Sequence, residues 1–344
     1  MPMAFDWYQE LAWIKEYRFP LDQESKTVYE CLKDWMDDYN GHIEATSFLT
    51  DDEKRQIREF SDSLLQSYEL SLNGNDDEVL SAFKQAMDKV RNYLWTISIG
   101  YEKEYSNIEM SYYRILPGKN EFDYKNMLHR PLTLPESEAA NRFGSKGTEC
   151  TYMASSAEVA WYEMRRPEVF QVACFMAVNT RKKILRLDIH PQQSVRELLS
   201  VKDRMQWNEK EMKLYATKLC YTLPLVAACS VSVIDKGAKP VAAYIIPHLV
   251  MKWVKGNTDY LGVRYASKVP LEDKKNEKIK KETGYNLALL IGNTDSDGFS
   301  IELQNFFGVV YPEGVNTAPI NDDPRAVRET VPHRTQEDIQ KHIL

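Results

Sequence analysis

The sequence predicts an α+β protein, an all-helical N-terminal domain followed by a domain of mixed strands and helices. Three observations predict it. Apolar residues recur at helical spacing through the first hundred residues, and the period switches to two near Glu109. Beyond that point strands and helices intermix without strict βαβ alternation. The boundaries are 1–105 for an acidic helical domain of unassigned role, 106–311 for the mixed domain, and 312–344 for an irregular tail with room for a short terminal helix.

In the first domain Trp7, Leu11 and Ile14 share one face with Trp13 beside them, and Val28, Cys31, Leu32 and Trp35 repeat the pattern. Thr50-Asp51-Asp52-Glu53 has the spacing of a capping box, in which Thr50 caps and Glu53 reaches back. It opens a helix carrying Ile57, Phe60, Leu64, Leu65 and Tyr68. Asn73-Gly74-Asn75 ends that helix, and Asn75 with Glu78 repeats the box before a helix that turns Leu80, Phe83, Met87 and Leu94 inward. His42 reads as a loop histidine.

From Glu109, Met110, Tyr112, Arg114 and Leu116 alternate with Ser111, Tyr113 and Ile115, a strand ended by Pro117-Gly118. A polar loop follows to about residue 140. Cys150 to Met153 is a short strand, and Ser155-Ser156-Ala157-Glu158 is a capping box for a helix through about Arg166. Phe170 to Val178, Ile184 to Ile189 and Val231 to Asp235 read as strands, with a helix from Asn208 to Tyr221 between the last two. Ile246, Leu249, Val250, Trp253 and Val254 define another helix with Pro247 in its first turn. Val263 to Tyr265 and Tyr285 to Ile291 close the core, and 312–334 hold four prolines.

The chain has 344 residues, 43% hydrophobic and 28% charged, which excludes collagen-like, low-complexity and wholly disordered classes. No run of 18 apolar residues offers a membrane span, and Met1 to Glu10 lacks a cationic apolar leader. Five cysteines without a CxxC pair argue against a disulfide framework or a cysteine zinc site, so a reducing cytoplasm is expected. The net charge of −7 is unevenly divided. Residues 1–110 carry 11 Lys and Arg against 23 Asp and Glu, and the remainder carries a balance of +5. Two independent solvated surfaces explain this; so does a basic part that holds an anionic ligand.

Several residues can carry chemistry. Arg114, in a strand, either pairs with a structural carboxylate or grips an anion such as a pyrophosphate. Asn141-Arg142-Phe143-Gly144-Ser145-Lys146-Gly147 supplies two cations and two glycines, either as a plain turn or as a cradle for phosphate. Glu163 is expected on the apolar stripe of its helix, four residues after Val159. There a carboxylate is either functional or a structural partner of Arg114 or Arg142. Gly262 to Ser267 places Arg264 and Ser267 at a strand end. His190 and His248 read as loop and helix-surface residues.

Taken together, these segments resemble the RES domain family, named for an Arg, a Glu and a Ser. The resemblance rests on Tyr113-Arg114-Ile115, on Arg142-Phe143 leading to Tyr152, and on the eleven-residue interval from Tyr152 to Glu163. It rests further on Tyr244 to Pro247, Gly262-Val263-Arg264-Tyr265-Ala266-Ser267 and Gly284-Tyr285-Asn286-Leu287. Asn141, His248 and Ala266 depart from the family's usual Gly, Gln and Pro. The similarity spans roughly 110–295 and says nothing about 1–105.

The resemblance implies an ADP-ribosyltransferase-like fold and a bacterial toxin that degrades NAD by hydrolysis or phosphorolysis. NAD would be substrate, and no cofactor or metal is implied. Glu163, Arg114 and Ser267 would be catalytic, with Tyr113, Arg142, Tyr152, Arg264 and Asn286 around the dinucleotide. Arg114 and Arg142 would hold the pyrophosphate, Tyr152 would stack on nicotinamide, and Glu163 would stabilise the oxocarbenium-like state. A phosphate acceptor would use Arg114, Arg142 or Arg264. The implied partner is an Xre-like helix-turn-helix antitoxin, with no membrane or nucleic-acid partner expected and a homo-oligomer left open. Two further readings stand beside this one: a protein- or nucleic-acid-directed ADP-ribosyltransferase, and a non-catalytic NAD-binding regulatory module.

Overall fold

A computed structural model describes residues 5–22, 26–74, 76–98, 111–118, 122–134, 141–177, 182–205, 207–232, 241–267, 284–308 and 313–316. Met110, the Asn75 cap, strand residues 233–235 and everything beyond Asn316, including the terminal helix, lie outside them. The protein is mixed α/β. Its chain divides into two compact units, one of Met1–Thr96, Ala140–Gly144 and Leu185–Asn257, the other of Ile97–Ala139, Ser145–Ile184 and Thr258–Leu344. The contiguous 106–311 domain expected from sequence is therefore interrupted twice.

The first unit is helical: α1 (Trp7–Glu10), α2 (Val28–Ala45), α3 (Asp51–Leu72), α4 (Asp76–Val90), α7 (Pro191–Met205), α8 (Glu209–Cys229) and α9 (Val241–Lys255). Thr50 and Glu53 form the expected capping box of α3, and Thr27 with Glu30 and Asn208 with Glu211 do the same for α2 and α8. The reason α8 belongs here is its apolarity. Every residue from Leu219 to Cys229 is buried, so it needs neighbours all round, and α2 and α3 supply them. Tyr39 donates to the Cys220 carbonyl at 2.6 Å, Trp253 Nε1 donates to Asp88 at 2.9 Å, and Tyr93 stacks on Tyr221 at 4.3 Å.

Four details differ from the sequence reading. His42 lies within α2 and stacks on Trp13 at 5.2 Å, so it is no loop residue. Val79, rather than Leu80, takes the fully buried place in α4. The periodicity stops α8 at Tyr221, yet the helix continues through Pro224, and α7 was not anticipated at all. α9 begins at Val241, so Pro247 sits in its second turn and leaves the Ala243 carbonyl without its helical donor.

The strands of the second unit are β2 (Ser111–Pro117), β3 (Cys150–Ala154), β4 (Phe170–Ala177), β6 (Tyr260–Ala266), β7 (Tyr285–Leu290), β8 (Phe307–Gly308) and β9 (Glu313–Asn316), while β1 (Thr96–Ser98) and β5 (Lys183–Leu187) each fall partly in either unit. Within the second unit the strand order is β6-β7-β3-β2-β4-β8, with β9 also on β4. β9 replaces the start of the irregular tail expected from 312, pairing Phe170 with Asn316 and Val172 with Glu313.

One face of this sheet carries Tyr112, Met153, Ala173, Phe175, Leu287 and Leu289 against α5 (Tyr124–Leu128) and α10 (Ile301–Phe306). The other carries Ile115, Ala154 and Phe170 against Ala157, Val159, Ala160 and Trp161 of α6 (Ala157–Glu163). Two glycines permit this packing. A Cβ on Gly284 would lie 2.5 Å from Val159 Cγ2, and one on Gly262 would lie 2.2 Å from the Ala288 carbonyl oxygen.

Candidate functional site

The site begins at the turn from β3 into α6. Ser156, not Ser155, caps the helix, accepting the Val159 N–H at 3.1 Å. Ser155 is used otherwise: its hydroxyl accepts the Tyr285 N–H at 3.1 Å and its own N–H donates to the Tyr285 carbonyl at 2.9 Å. This ties the start of α6 to β7.

The helix ends at Glu163, short of the expected Arg166. Met164 caps it, and Arg165 and Arg166 follow with φ of 63° and 54°. Glu163 is consequently exposed and not on a buried stripe. That stripe is Ala157, Ala160 and Trp161, and the carboxylate stands at the helix end, beyond it.

Two donors converge on this carboxylate. Ser267 Oγ donates to Glu163 Oε1 at 2.6 Å, and Asn286 Nδ2 donates to the same oxygen at 2.7 Å. Among the described residues Oε2 accepts no hydrogen bond. Asn286 is buried in β7, and Ser267 follows β6 with its N–H bonded to the Gly284 carbonyl at 2.9 Å. Three chain segments thus fix one carboxylate oxygen.

Register explains what lies beside it. Tyr265 opposes Asn286, Asn286 opposes Ala154, and Ala154 opposes Tyr113, so these four form one row across β6, β7, β3 and β2. Tyr152 opposes Ala288 in the next row of the same face. Burial, followed by contact with Cys174, raises the Tyr113 hydroxyl pKa, keeping it a neutral phenol. Tyr265 was not singled out from sequence, although its position two residues before Ser267 marks it as sharing that face.

The arginines are placed differently. Arg114 alternates with Tyr113 and Ile115, which face α6, so its guanidinium points to the sheet's other side. It donates there to the Leu128 carbonyl and to Thr151 Oγ1, the latter at 3.0 Å, and desolvation lowers its pKa to about 10. The expected grip on pyrophosphate has no counterpart in this geometry. Arg264 opposes Leu287 on that same other side, with its guanidinium 3.6 Å from the Tyr285 ring centroid.

Arg142 belongs to the helical unit. It donates to the Cys229 carbonyl at the end of α8 at 2.7 Å and lies 5.6 Å from the Tyr244 ring centroid. A guanidinium there complements the electronegative helix end. The glycine loop around Gly147 closes as a turn, with Thr148 N–H on the Ser145 carbonyl at 2.8 Å. The structure therefore gathers Glu163, Ser267 and Asn286, with Tyr113 and Tyr152 on the same face, and turns Arg114 and Arg264 away.

Fold and site define a mixed α/β protein whose sheet carries, at the end of a short helix, an exposed carboxylate held by a serine and an asparagine. In sequence the chain is similar to a Bacillus subtilis (strain 168) protein named "Putative toxin YopC", 24% identical over 281 residues, covering 78% of this chain and 61% of that one. The chain thus spans about three fifths of the length of that relative. No family model matches the sequence, and no solved structure matches the chain. No helix among the described residues is long and apolar enough to cross a membrane.

Proposed function

We propose that this chain is a toxin-like enzyme that cleaves the nicotinamide–ribose bond of NAD, with Glu163 as the catalytic carboxylate. One observation carries the reading. Glu163 and Ser267, 104 residues apart in sequence, meet at 2.6 Å, with Asn286 completing the same hydrogen-bond set. A relative that bears a toxin's name is consistent with it.

In the reaction the C1′–N bond breaks with its electron pair leaving on nicotinamide, and C1′ gains positive charge. An anchored carboxylate next to that carbon stabilises the charge without having to reorganise. Ser267 and Asn286 are the positioning groups: both occupy Oε1, so Oε2 is the oxygen offered to the ribose. Water or phosphate then adds an oxygen to C1′, and water loses its proton to solvent. Tyr152 and Tyr113 supply flat surface on the same face for the nicotinamide ring.

The test incubates the purified full chain with NAD, with and without phosphate, and identifies products by mass. ADP-ribose or its 1-phosphate is expected, and Glu163→Gln should lose at least about a hundredfold in turnover. Because Glu163 is exposed, the variant should melt as the parent does. Intact NAD, or a Glu163→Gln rate equal to the parent's, overturns the reading, and ADP-ribose found on a macromolecule reassigns it to group transfer.

A further inference from the structure

The pairing of β3 with β7 runs one rung past the strand. Ala154 opposes Asn286, which brings the next residue, Ser155, opposite Tyr285. A regular hydrogen-bonded antiparallel pair exchanges two main-chain bonds. Here one is main-chain, the Ser155 N–H on the Tyr285 carbonyl at 2.9 Å. The other ends on a side chain: the Tyr285 N–H donates to the Ser155 hydroxyl at 3.1 Å. The hydroxyl stands in for the Ser155 carbonyl, so the main chain can turn out of the sheet and still keep the rung. Ser156 then caps α6.

The carboxylate depends on where that turn is made. α6 has seven residues, too few to hold a direction alone, so its contacts aim it. Gly284, Tyr285 and Asn286 each hold one part of the site. The Gly284 carbonyl accepts the Ser267 N–H at 2.9 Å, Tyr285 pairs with Ser155, and the Asn286 amide donates to Glu163 at 2.7 Å. Val159 of α6 packs where a Gly284 side chain would be, its Cγ2 2.5 Å from the position of an added Cβ. At the far end of α6 the Trp161 carbonyl accepts the Arg166 N–H at 2.9 Å, and the Trp161 indole N–H donates to the Pro167 carbonyl at 3.0 Å. The helix is clamped at both ends, and its first clamp is built on the residue next to Asn286.

We infer that Ser155 is a positioning residue for Glu163. Its hydroxyl, by closing that last rung, fixes the start of α6 so that the carboxylate at the end of the helix meets Ser267 and Asn286. The kinetic consequence rests on the NAD-cleavage reading; the effect on the bond between Glu163 and Asn286 does not. A competing role exists, a rung that stabilises the sheet without bearing on the carboxylate, and the test separates the two.

Two measurements on the full chain compare the parent with Ser155→Ala and with Ser155→Cys, which keeps the size but offers only a weak acceptor. The first needs no turnover: nuclear magnetic resonance follows the Asn286 side-chain amide, identified by its loss in Asn286→Asp. Both Ser155 variants should move that signal toward its position in Glu163→Gln, since each change weakens the charged acceptor. The second is NAD turnover. Ser155→Ala should lower kcat by about tenfold to a hundredfold and leave KM within about twofold, because a reacting group is displaced and the substrate grip is not. In a Glu163→Gln background the same change should cost almost nothing further, because its effect passes through the carboxylate. A merely structural rung would lower the rate alike in both backgrounds. An Asn286 signal that stays at its parental position, or equal losses in the two backgrounds, overturns the inference. If Ser155→Ala does not fold, Ser155→Cys decides by the same two readings. A protein whose Asn286 signal moves as stated yet leaves NAD intact refutes the NAD reading alone.

Discussion

Arg114 sits half-buried in β2, where its guanidinium joins the Leu128 carbonyl to Thr151 Oγ1, which itself donates to that carbonyl at 2.6 Å. Both bonds come from the one nitrogen Nη1, and a lysine ammonium, one bond nearer the backbone than that nitrogen, ends short of both acceptors. Arg114→Lys should therefore cost about 1–3 kcal/mol of stability, the usual penalty for leaving a desolvated acceptor without its charged donor. Denaturant melts measure that loss, and NAD turnover kinetics should keep a parental KM. A raised KM with parental stability would return Arg114 to ligand binding. The contrast with Glu163 is one of exposure: the carboxylate stands at a helix end open to solvent, the guanidinium in the packed interior.

At the scale of elements, the site depends on β6 and β7 being in register, since that pairing sets Ser267 beside Asn286. Gly262 opposes Leu289 in this ladder, and its missing Cβ leaves space that the Ala288 carbonyl oxygen fills. Gly262→Ala would bring a methyl to 2.2 Å from backbone that cannot swing aside. The strands must part or slip, at a cost on the order of 1–3 kcal/mol typical of overpacking. Thermal melting and NAD turnover should fall together in this variant. Retained stability and activity would mean the ladder does not position the site. The serine cap, the Trp161 clamp and the Gly284 contact act likewise on α6, a helix too short to be stable alone.

For the whole molecule, the first 96 residues and 185–257 form one compact unit. Removing the acidic N-terminal part would therefore split a compact unit and leave 185–257 without its partners. α8 is buried on every side from Leu219 to Cys229, and the hydrogen bonds from Tyr39 to Cys220 and from Trp253 to Asp88 join the N-terminal helices to it and to α9. A chain starting near Asn107 would expose those apolar faces to water. It should be insoluble or unfolded, as judged by soluble yield and far-ultraviolet circular dichroism. A folded truncation that binds NAD more tightly than the full chain, by a margin that shrinks as salt is raised, would instead support electrostatic gating by the acidic part.

The sequence by itself determined much of the local structure. The Thr50–Glu53 box, the alternation through Arg114, and the strands at Cys150, Phe170 and Tyr285 all follow from propensity and periodicity, whereas Ser267 and Asn286 joined Glu163 as catalytic and binding candidates only through the motif resemblance. Periodicity reports which residues share a face; it does not report what covers that face. Only the tertiary structure decided that α6 lies over the Tyr113 side of the sheet, which turns Arg114 away from Glu163. Only it decided that α8 and α9 join the N-terminal helices, because a segment as uniformly apolar as Leu219–Cys229 is silent about its neighbours. Glu163's exposure was decided the same way, by the early end of α6 at two left-handed arginines that no propensity favours. Trp161 holds that turn through contacts its own position in the sequence does not announce.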